Sequence, residues 1–405
     1  MPVRERQTLH PLEGMVSRLT RGLRHPFGEQ RMHAGQAWLS VIDSCYPGLV
    51  NLPRGGMTAP VADLIRRGFV NLTPFTAGHF LLLDAQGTEV LTLAVKASFA
   101  LTPQLRLTPL EPQLPIHMEP VFHGEVGASS LKYESDASLP KLTTDVVLLG
   151  HAHAPAPRTT QVEVSLRVGT LSKQVLVLGD RVWVQFLGTA TPSSPLPFER
   201  VPLTYERAYG GWDRSDPEQP VAELRNPVGT GFIAQPSRTR CEGIRLPNLE
   251  DPRNRIQHPR DRPGPAGLGF IAPHWQPRLQ LAGTYDQAWK QQRFPLAPQD
   301  FDSRHYNAAP PGLQAPAFLE GGEPVEILHA SDRGPLRFRL PTYRFEGVVM
   351  LRSQRQSFPL NLDTVLLDTD QHHLVMTWRG AIPIHRRVHE LAWAKVQFPV
   401  GGIPS

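Results

Sequence analysis

FLLLDAQGTEVLTLAVKASFAL, residues 80–101, is the stretch that decides the fold class. Four apolar residues lead into a polar turn, Asp84-Ala85-Gln86-Gly87, and an alternating run follows, which together spell a β-hairpin. In the second arm Leu91, Leu93, Val95, Ala97 and Phe99 share one face, with Thr92, Lys96 and Ser98 on the other. A period of two cannot build an amphipathic helix, whose apolar positions recur every three or four residues. Further β-branched runs lie at 145–150, 162–168 and 175–178, and Gly179-Asp180 is expected to turn the last into a strand over 182–187. Strand signals resume at 345–351, 364–367 and 374–378.

Composition supports the same class. The 405 residues include 42 Pro and 33 Gly, about 19% of the chain against a usual ~12%. Proline cannot donate to a backbone ladder or sit inside a helix, so bundles, coiled coils and regular α/β alternation are excluded. Punctuation by Pro and Gly is densest over about 191–341, where only one helix stands out. There Thr284 and Gln287 are spaced as a capping pair, Tyr285 and Trp289 share a face, and Pro295 follows the end. The expected fold is mainly β: antiparallel, sandwich-like sheets, a long Pro/Gly-rich loop region and one or two short helices. The expected organisation is an N-terminal extension over 1–68 (or a start nearer Met57) with one helix candidate at 59–67. A β-rich domain over 69–405 follows it, closing with a β segment at 342–405.

The net charge of +5 is unevenly placed. Residues 1–68 hold nine Arg, no Lys and five acidic residues, a net of +4, which leaves +1 for the remaining chain. A nearly neutral body lacks the electrostatic footprint of a nucleic-acid binder. Seven Arg lie within 238–262, but four acidic residues interleave with them and no aromatic residue is present to stack a base. Cys45 and Cys241 form neither a disulfide framework nor a zinc spacing. No run reaches the roughly 18 apolar residues of a membrane helix, and the first thirty residues hold no signal-peptide core. The expected location is cytoplasmic, with no membrane partner.

Chemical motifs are sparse. His151 and His153, in GHAHAP (150–155), sit at period-two spacing on a strand end and could begin a metal site with Asp145, Asp300, Asp302 or His305. Asp300 and Asp302 could also act as paired carboxylates. Gly229–Ala234 and Gly267–Ala272 both fit G-x-G-x-x-A, but prolines on either side leave no room for the strand and helix of a dinucleotide site. G-x-S-x-G, P-loop and H-E-x-x-H patterns are absent. No cofactor is expected. Tyr209, Trp212, Trp275, Tyr285, Trp289 and Tyr306 are candidate anchors for a protein partner.

An ordered series of short motifs carries a resemblance. It runs NLTPF (71–75), GEVGASSLKYESD (124–136), TDVVLLGHAHAP (144–155), GDRVW (179–183), PLTYERAYGG (202–211) and NPVGTGF (226–232). PNLEDP (247–252), PAGLGFI (265–271), LAGTYDQAW (281–289) and DFDSRHYNAAPPG (300–312) complete it. The series resembles a bacterial "domain of unknown function" family encoded in type VI secretion clusters. Membership implies an adaptor or chaperone that binds a toxic effector and loads it onto a VgrG-type or PAAR-type spike. It implies no catalytic residues, and it covers about 69–340. Two other readings stand beside it: a metal-dependent hydrolase using His151 and His153, and a glycan-binding β-sandwich module.

Overall fold

The structure is a computed structural model and describes residues 68–399, apart from Arg238. The expectations for the leader, its helix candidate over 59–67 and Cys45 lie outside the described residues. Among the described residues the protein is mainly β, 40% strand and 6% helix, with several antiparallel sheets and two short helices.

The hairpin read from the sequence is the centre of the largest sheet. Thr76–Leu83 pairs antiparallel with Glu89–Leu101, and Asp84 Oδ1 accepts hydrogen bonds from the Gln86 and Thr88 amides across the turn. Outward from Glu89–Leu101 the order is His373–Pro383, Gln354–Asp368, Phe345–Leu351, Leu391–Gln397 and Phe69–Asn71. Leu107–Pro109 and Asp145–Leu149 add to its flanks, giving a nine-stranded sheet. It curls into a nearly closed barrel. Phe69, on one edge strand, lies 4.7 Å ring to ring from His79 on the other. Chain-distant segments therefore meet: Phe69–Asn71 runs parallel to Leu391–Gln397.

A second, five-stranded antiparallel sheet is ordered Leu249–Glu250, Leu171–Leu178, Gln161–Val168, Pro324–Leu328, Leu336–Arg339. Its inward side chains, such as Val164, Leu166, Val175 and Ile327, share one core with the barrel strands. Layered packing explains the burial of Glu89–Leu101. The polar face of that strand is covered as fully as the apolar one: Thr92 and Ser98 are buried, and Lys96 ends in an ion pair with Asp136 at 2.8 Å. At Ser98 the Gln113 amide donates to the backbone carbonyl and accepts from the N–H, standing in for a neighbouring strand.

Two local expectations are corrected. Gly179-Asp180 is not a hairpin turn. Leu171–Leu178 instead pairs back with Gln161–Val168, and Trp183–Phe186 pairs forward with Thr189–Pro192. The glycine at 179 serves a close pass, since a Cβ there would lie 1.7 Å from the Leu196 carbonyl oxygen. The helix Gln287–Gln292 is capped by Asp286, whose carboxylate accepts from the Trp289 N–H, and not by Thr284. Thr284 is held by Asp300 instead, through its N–H at 2.9 Å and its hydroxyl at 2.7 Å.

The central region supplies core as well as loop. Leu203, Tyr205, Leu268, Phe270, Trp275 and Leu313 are buried in the main core. Trp183, Tyr209, Ile233, Cys241, Leu246 and Ile256 form a second, smaller core of their own.

Candidate functional site

One end of the barrel is filled with rings. Phe75, Phe99, Tyr343, Phe345, Trp378 and Phe398 form a continuous set of pairs with centroids 5.0–6.4 Å apart. Phe345 and Trp378 meet edge to face at 5.0 Å, the geometry a ring quadrupole favours. Above them opens a pocket of about 580 Å³, walled by Phe318–Glu320 on one side and Tyr343–Glu346 on the other. Its floor is the stretch 357–362 of Gln354–Asp368, with Pro399 at one end. The pocket exists because Gln354–Asp368 changes neighbour along its length. Its first half pairs with Phe345–Leu351 and its second with Asp145–Leu149, and its pairing with His373–Pro383 shifts register between Leu362 and Thr364. Leu319 bridges to Leu362 at the split. Phe358 packs against the main core, and both flanking strands place glycine against its ring. A Cβ at Gly347 would stand 2.6 Å from its ring, and one at Gly380 3.1 Å.

Beside the barrel lies a layer of buried charge. Lys141 Nζ contacts Asp145 at 2.6 Å and Glu134 at 3.1 Å, and Arg278 contacts Glu134 at 2.8 Å. Arg379 pairs with Asp363. Burial by itself would raise the Glu134 carboxyl, but Lys141 and Arg278 outweigh it and hold the group below the usual range. Burial likewise opposes the Lys141 ammonium, while Asp145, Glu134 and Asp363 together raise it. His274 and His305 sit nearby with values pushed down to about 4, first by burial and then by the Arg278 charge. Both are neutral at pH 7, and His305 Nδ1 donates to the Arg278 carbonyl. A small polar cleft opens on Glu134, Arg278, His305 and Tyr306.

The motif series is a set of mutual contacts. Ser130 donates through its N–H and hydroxyl to Glu206, joining 124–136 to 202–211. Arg181 pairs with Glu250 at 2.7 Å, and Asn248 Nδ2 donates to the Asp180 carboxylate at 3.0 Å, joining 179–183 to 247–252. Asn226 Nδ2 donates to the Tyr205 and Tyr209 carbonyls, and a Cβ at Gly229 would crowd that same amide at 2.3 Å. Asp145 receives the Asn307 side chain and the Ala308 N–H, joining 144–155 to 300–312. Gly267 passes against the Tyr205 ring, where a Cβ would lie 2.5 Å away. The recurring polar residues lock loops to one another.

The sequence candidates fall out accordingly. His151 Nδ1 donates to Asp370 at 2.8 Å, and His153 is held below its usual value chiefly by burial. Asp145, Asp300 and His305 are engaged elsewhere, and Asp302 chelates Arg304 and caps the turn Ser303–Tyr306. Among the described residues no group of three or more His, Cys, Asp or Glu is arranged to hold a metal. The structure therefore does not assemble the expected metal partners around His151 and His153. Tyr209 and Trp275 are interior, so neither presents an anchor surface. Trp212 is 42% exposed with Arg214 over its ring. Tyr285 and Trp289 are half-buried, 4.7 Å apart, and Trp289 Nε1 donates to the Leu296 carbonyl. Tyr306 is half-buried against Phe301.

Sequence reasoning passed over the pocket. Tyr343, Phe345, Phe358 and Trp378 lie beyond 341, outside the motif series, and Phe75 and Phe99 join them only through the barrel. The one readable signal was Gly347 and Gly380, small residues inside strands otherwise rich in large apolar ones.

No helix among the described residues is long and apolar enough to cross a membrane. The family model described as "Uncharacterized protein conserved in bacteria (DUF2169)" matches residues 86–379, more than half of the chain. No curated protein and no solved structure matches the chain.

Proposed function

The chain belongs to the DUF2169 family of uncharacterized bacterial proteins, and from that premise we propose that it is a non-catalytic adaptor of type VI secretion. In this reading it binds a toxic effector in the cytoplasm and loads it onto a VgrG-type or PAAR-type spike. The motif series that resembles such adaptors carries the role, and an open pocket edged by Tyr343 and Phe358 supports it. Tyr343 and Phe358, both half-buried, edge a concave pocket above the buried rings of Phe345 and Trp378, a setting that can receive a partner's side chain. The polar residues in its lining are Glu320, Arg344, Glu346, Ser357 and Asn361, with no histidine, cysteine or aspartate beside the serine to activate it. Such a lining favours holding a partner over transforming it. A loop-locked scaffold also keeps the ordering cost of association low.

Co-expression with a type VI effector and spike from the same bacterium, followed by affinity capture, tests the role. Stoichiometric retention of an effector through moderate salt is the expected result. Absence of any retained effector or spike at both low and moderate salt overturns it.

A further inference from the structure

The nearly neutral body has one strongly basic corner. Residues 350–356 and 384–396 hold four Arg and one Lys against a single acid, Glu390, a net of +4, while 69–405 as a whole nets +1. The fold joins the two segments: Met350 pairs with Trp393, Leu351 with Leu391, and the Arg352 N–H donates to the Glu390 carbonyl. Arg355 and Trp393 flank Met350 as direct cross-strand neighbours, so they share one sheet face, and Lys395 lies two residues along it. Glu390 offsets little at the surface. Its side chain is 8% exposed and is taken by Arg352, which is 76% exposed. Among the described residues no carboxylate lies within ion-pair distance of Arg355, Arg386, Arg387 or Lys395. The Ile384 N–H donates to the Glu89 carbonyl, which brings the turn at Asp84 alongside. Asp84 and Glu89 are half-buried, Asp84 Oδ1 is spent on two backbone amides, and Arg293 donates to the Ala85 carbonyl of the same turn.

The backbone supplies a second, independent observation. Arg352, His385 and Arg386 have φ of 52°, 47° and 60°, the left-handed region that glycine enters without strain. His385 and Arg386 are the central pair of a turn closed by the Arg387 N–H on the Ile384 carbonyl at 2.9 Å, a form that favours Asn-Gly. Bulky basic side chains therefore stand where the backbone alone would select a small residue, and Arg352, His385, Arg386 and His389 are all exposed. Strain kept at exposed turn tips marks a contacting surface. A guanidinium donates two parallel hydrogen bonds to one carboxylate, so a patch built mainly of Arg suits Asp and Glu side chains. A single-stranded nucleic acid would also need a ring on which to stack a base. Trp393, the one ring in these two segments, already carries the Lys395 ammonium 5.6 Å over its face.

We propose that this corner of the barrel docks an acidic segment of a protein partner, with Arg352, Arg355, Arg386 and Arg387 engaging its Asp and Glu side chains. The assignment rests on the reading of the chain as a protein-binding adaptor and adds the charge of the surface it recognises.

Rhodamine-labelled probes tested against the full-length protein by anisotropy at low and moderate salt decide the matter. They are the peptide Gly-Ser-Asp-Glu-Asp-Glu-Ser-Gly, its counterpart with Asn and Gln for Asp and Glu, and a short single-stranded oligothymidylate. The acidic peptide is expected to saturate at low salt, to weaken at moderate salt, and to bind far more tightly than the neutral one. Residues 1–68 carry a net of +4 of their own, so substitutions at the corner locate the binding. Arg355→Gln and Arg386→Gly should each weaken the acidic peptide about 3-fold, the scale of one exposed ion pair, and together about 10-fold. Arg386→Gly should do so with an unchanged or raised thermal midpoint, because glycine relieves the left-handed strain. No saturable binding of the acidic peptide, equal binding of the acidic and neutral peptides, or acidic-peptide binding that survives the double variant overturns the proposal. So does an oligothymidylate that binds more tightly than the acidic peptide and is lost in the double variant, since the occupant is then a nucleic acid. Effector capture by the double variant at the wild-type level also overturns it, while leaving the adaptor reading intact. Acidic-peptide binding lost in the double variant, in a protein that captures no effector or spike, upholds the basic corner and removes the adaptor reading.

Discussion

The proline-rich centre and the barrel mouth make opposite use of their side chains. In the centre, polar residues find each other: Arg181 with Glu250, Ser130 with Glu206, Asn226 with two carbonyls, Asp145 with Asn307 and Lys141. Their polar groups are largely spent on one another, while apolar side chains such as Leu224 and Phe294, 56% and 60% exposed, stay at the surface. In the barrel, aromatic side chains are gathered and buried, with Tyr343 and Phe358 only partly covered beside the pocket. Loop length is therefore a poor guide to function here. A loop whose hydrogen bonds close internally is scaffold, and a gap between strands leaves a pocket beside an already buried core.

Perturbing the two regions should separate fold from binding. The largest effect is expected at Asp145. Asp145→Ala strands the buried Lys141 ammonium and orphans Asn307, and urea unfolding should register a loss of about 3–5 kcal/mol or outright failure to fold. Acidification should act on the same region. His274 and His305 have folded values near 4, below the ordinary histidine value, so the unfolded chain binds more protons between pH 4 and 6.5. Stability is complete above about 6.5 and falls as the pH drops through that window, by on the order of 2 kcal/mol per histidine at pH 5. Glu134, held low, adds to the loss only below its unfolded value near 4.5. Denaturant midpoints at pH 7.5 and 5 measure this, and His305→Gln should flatten the slope.

Gly229→Ala comes next. Its new methyl group meets the Asn226 amide and the Ala208 carbonyl, with an expected loss of about 1–3 kcal/mol by thermal denaturation. Phe358→Ala reverses the pattern. The ring is only partly buried, so stability should fall by about 1–2 kcal/mol, while effector capture drops to background. A Phe358→Ala protein that captures normally would break the comparison between the two regions. Arg344→Ala is the mildest: an exposed ion pair is lost, and the midpoint should move by less than about 1 kcal/mol.

Much of the barrel was legible before any coordinates. The alternation of Leu91 through Phe99 and the Asp84–Gly87 turn announced the hairpin, and the structure extends its first arm back to Thr76 and starts the second at Glu89. What the pattern could not convey was that the Thr92–Lys96–Ser98 face is also buried, because the segment that covers it, carrying Gln113 and Asp136, has no strand pattern of its own. The turn at 179–180 was misread because glycine marks both reversals and close approaches, and only the position of Leu196 decides which. The six anchor candidates were chosen as aromatics in loops, and two of them, Tyr209 and Trp275, turned out to nucleate packing.

By itself the sequence determined the chemistry of the parts: a β protein, poor in catalytic motifs, with a nearly neutral body and a family signature written in loop-locking residues. Periodicity, proline and turn chemistry act over a few neighbours, so they survive reading in one dimension. The tertiary structure alone decided which surface is left open. Phe75 and Phe99 meet Tyr343, Phe345 and Trp378 across more than 240 residues of chain, because strands from both ends of the chain join one sheet that curls almost closed. A pocket made by such closure is a property of the joined edges, and no local run of residues contains it.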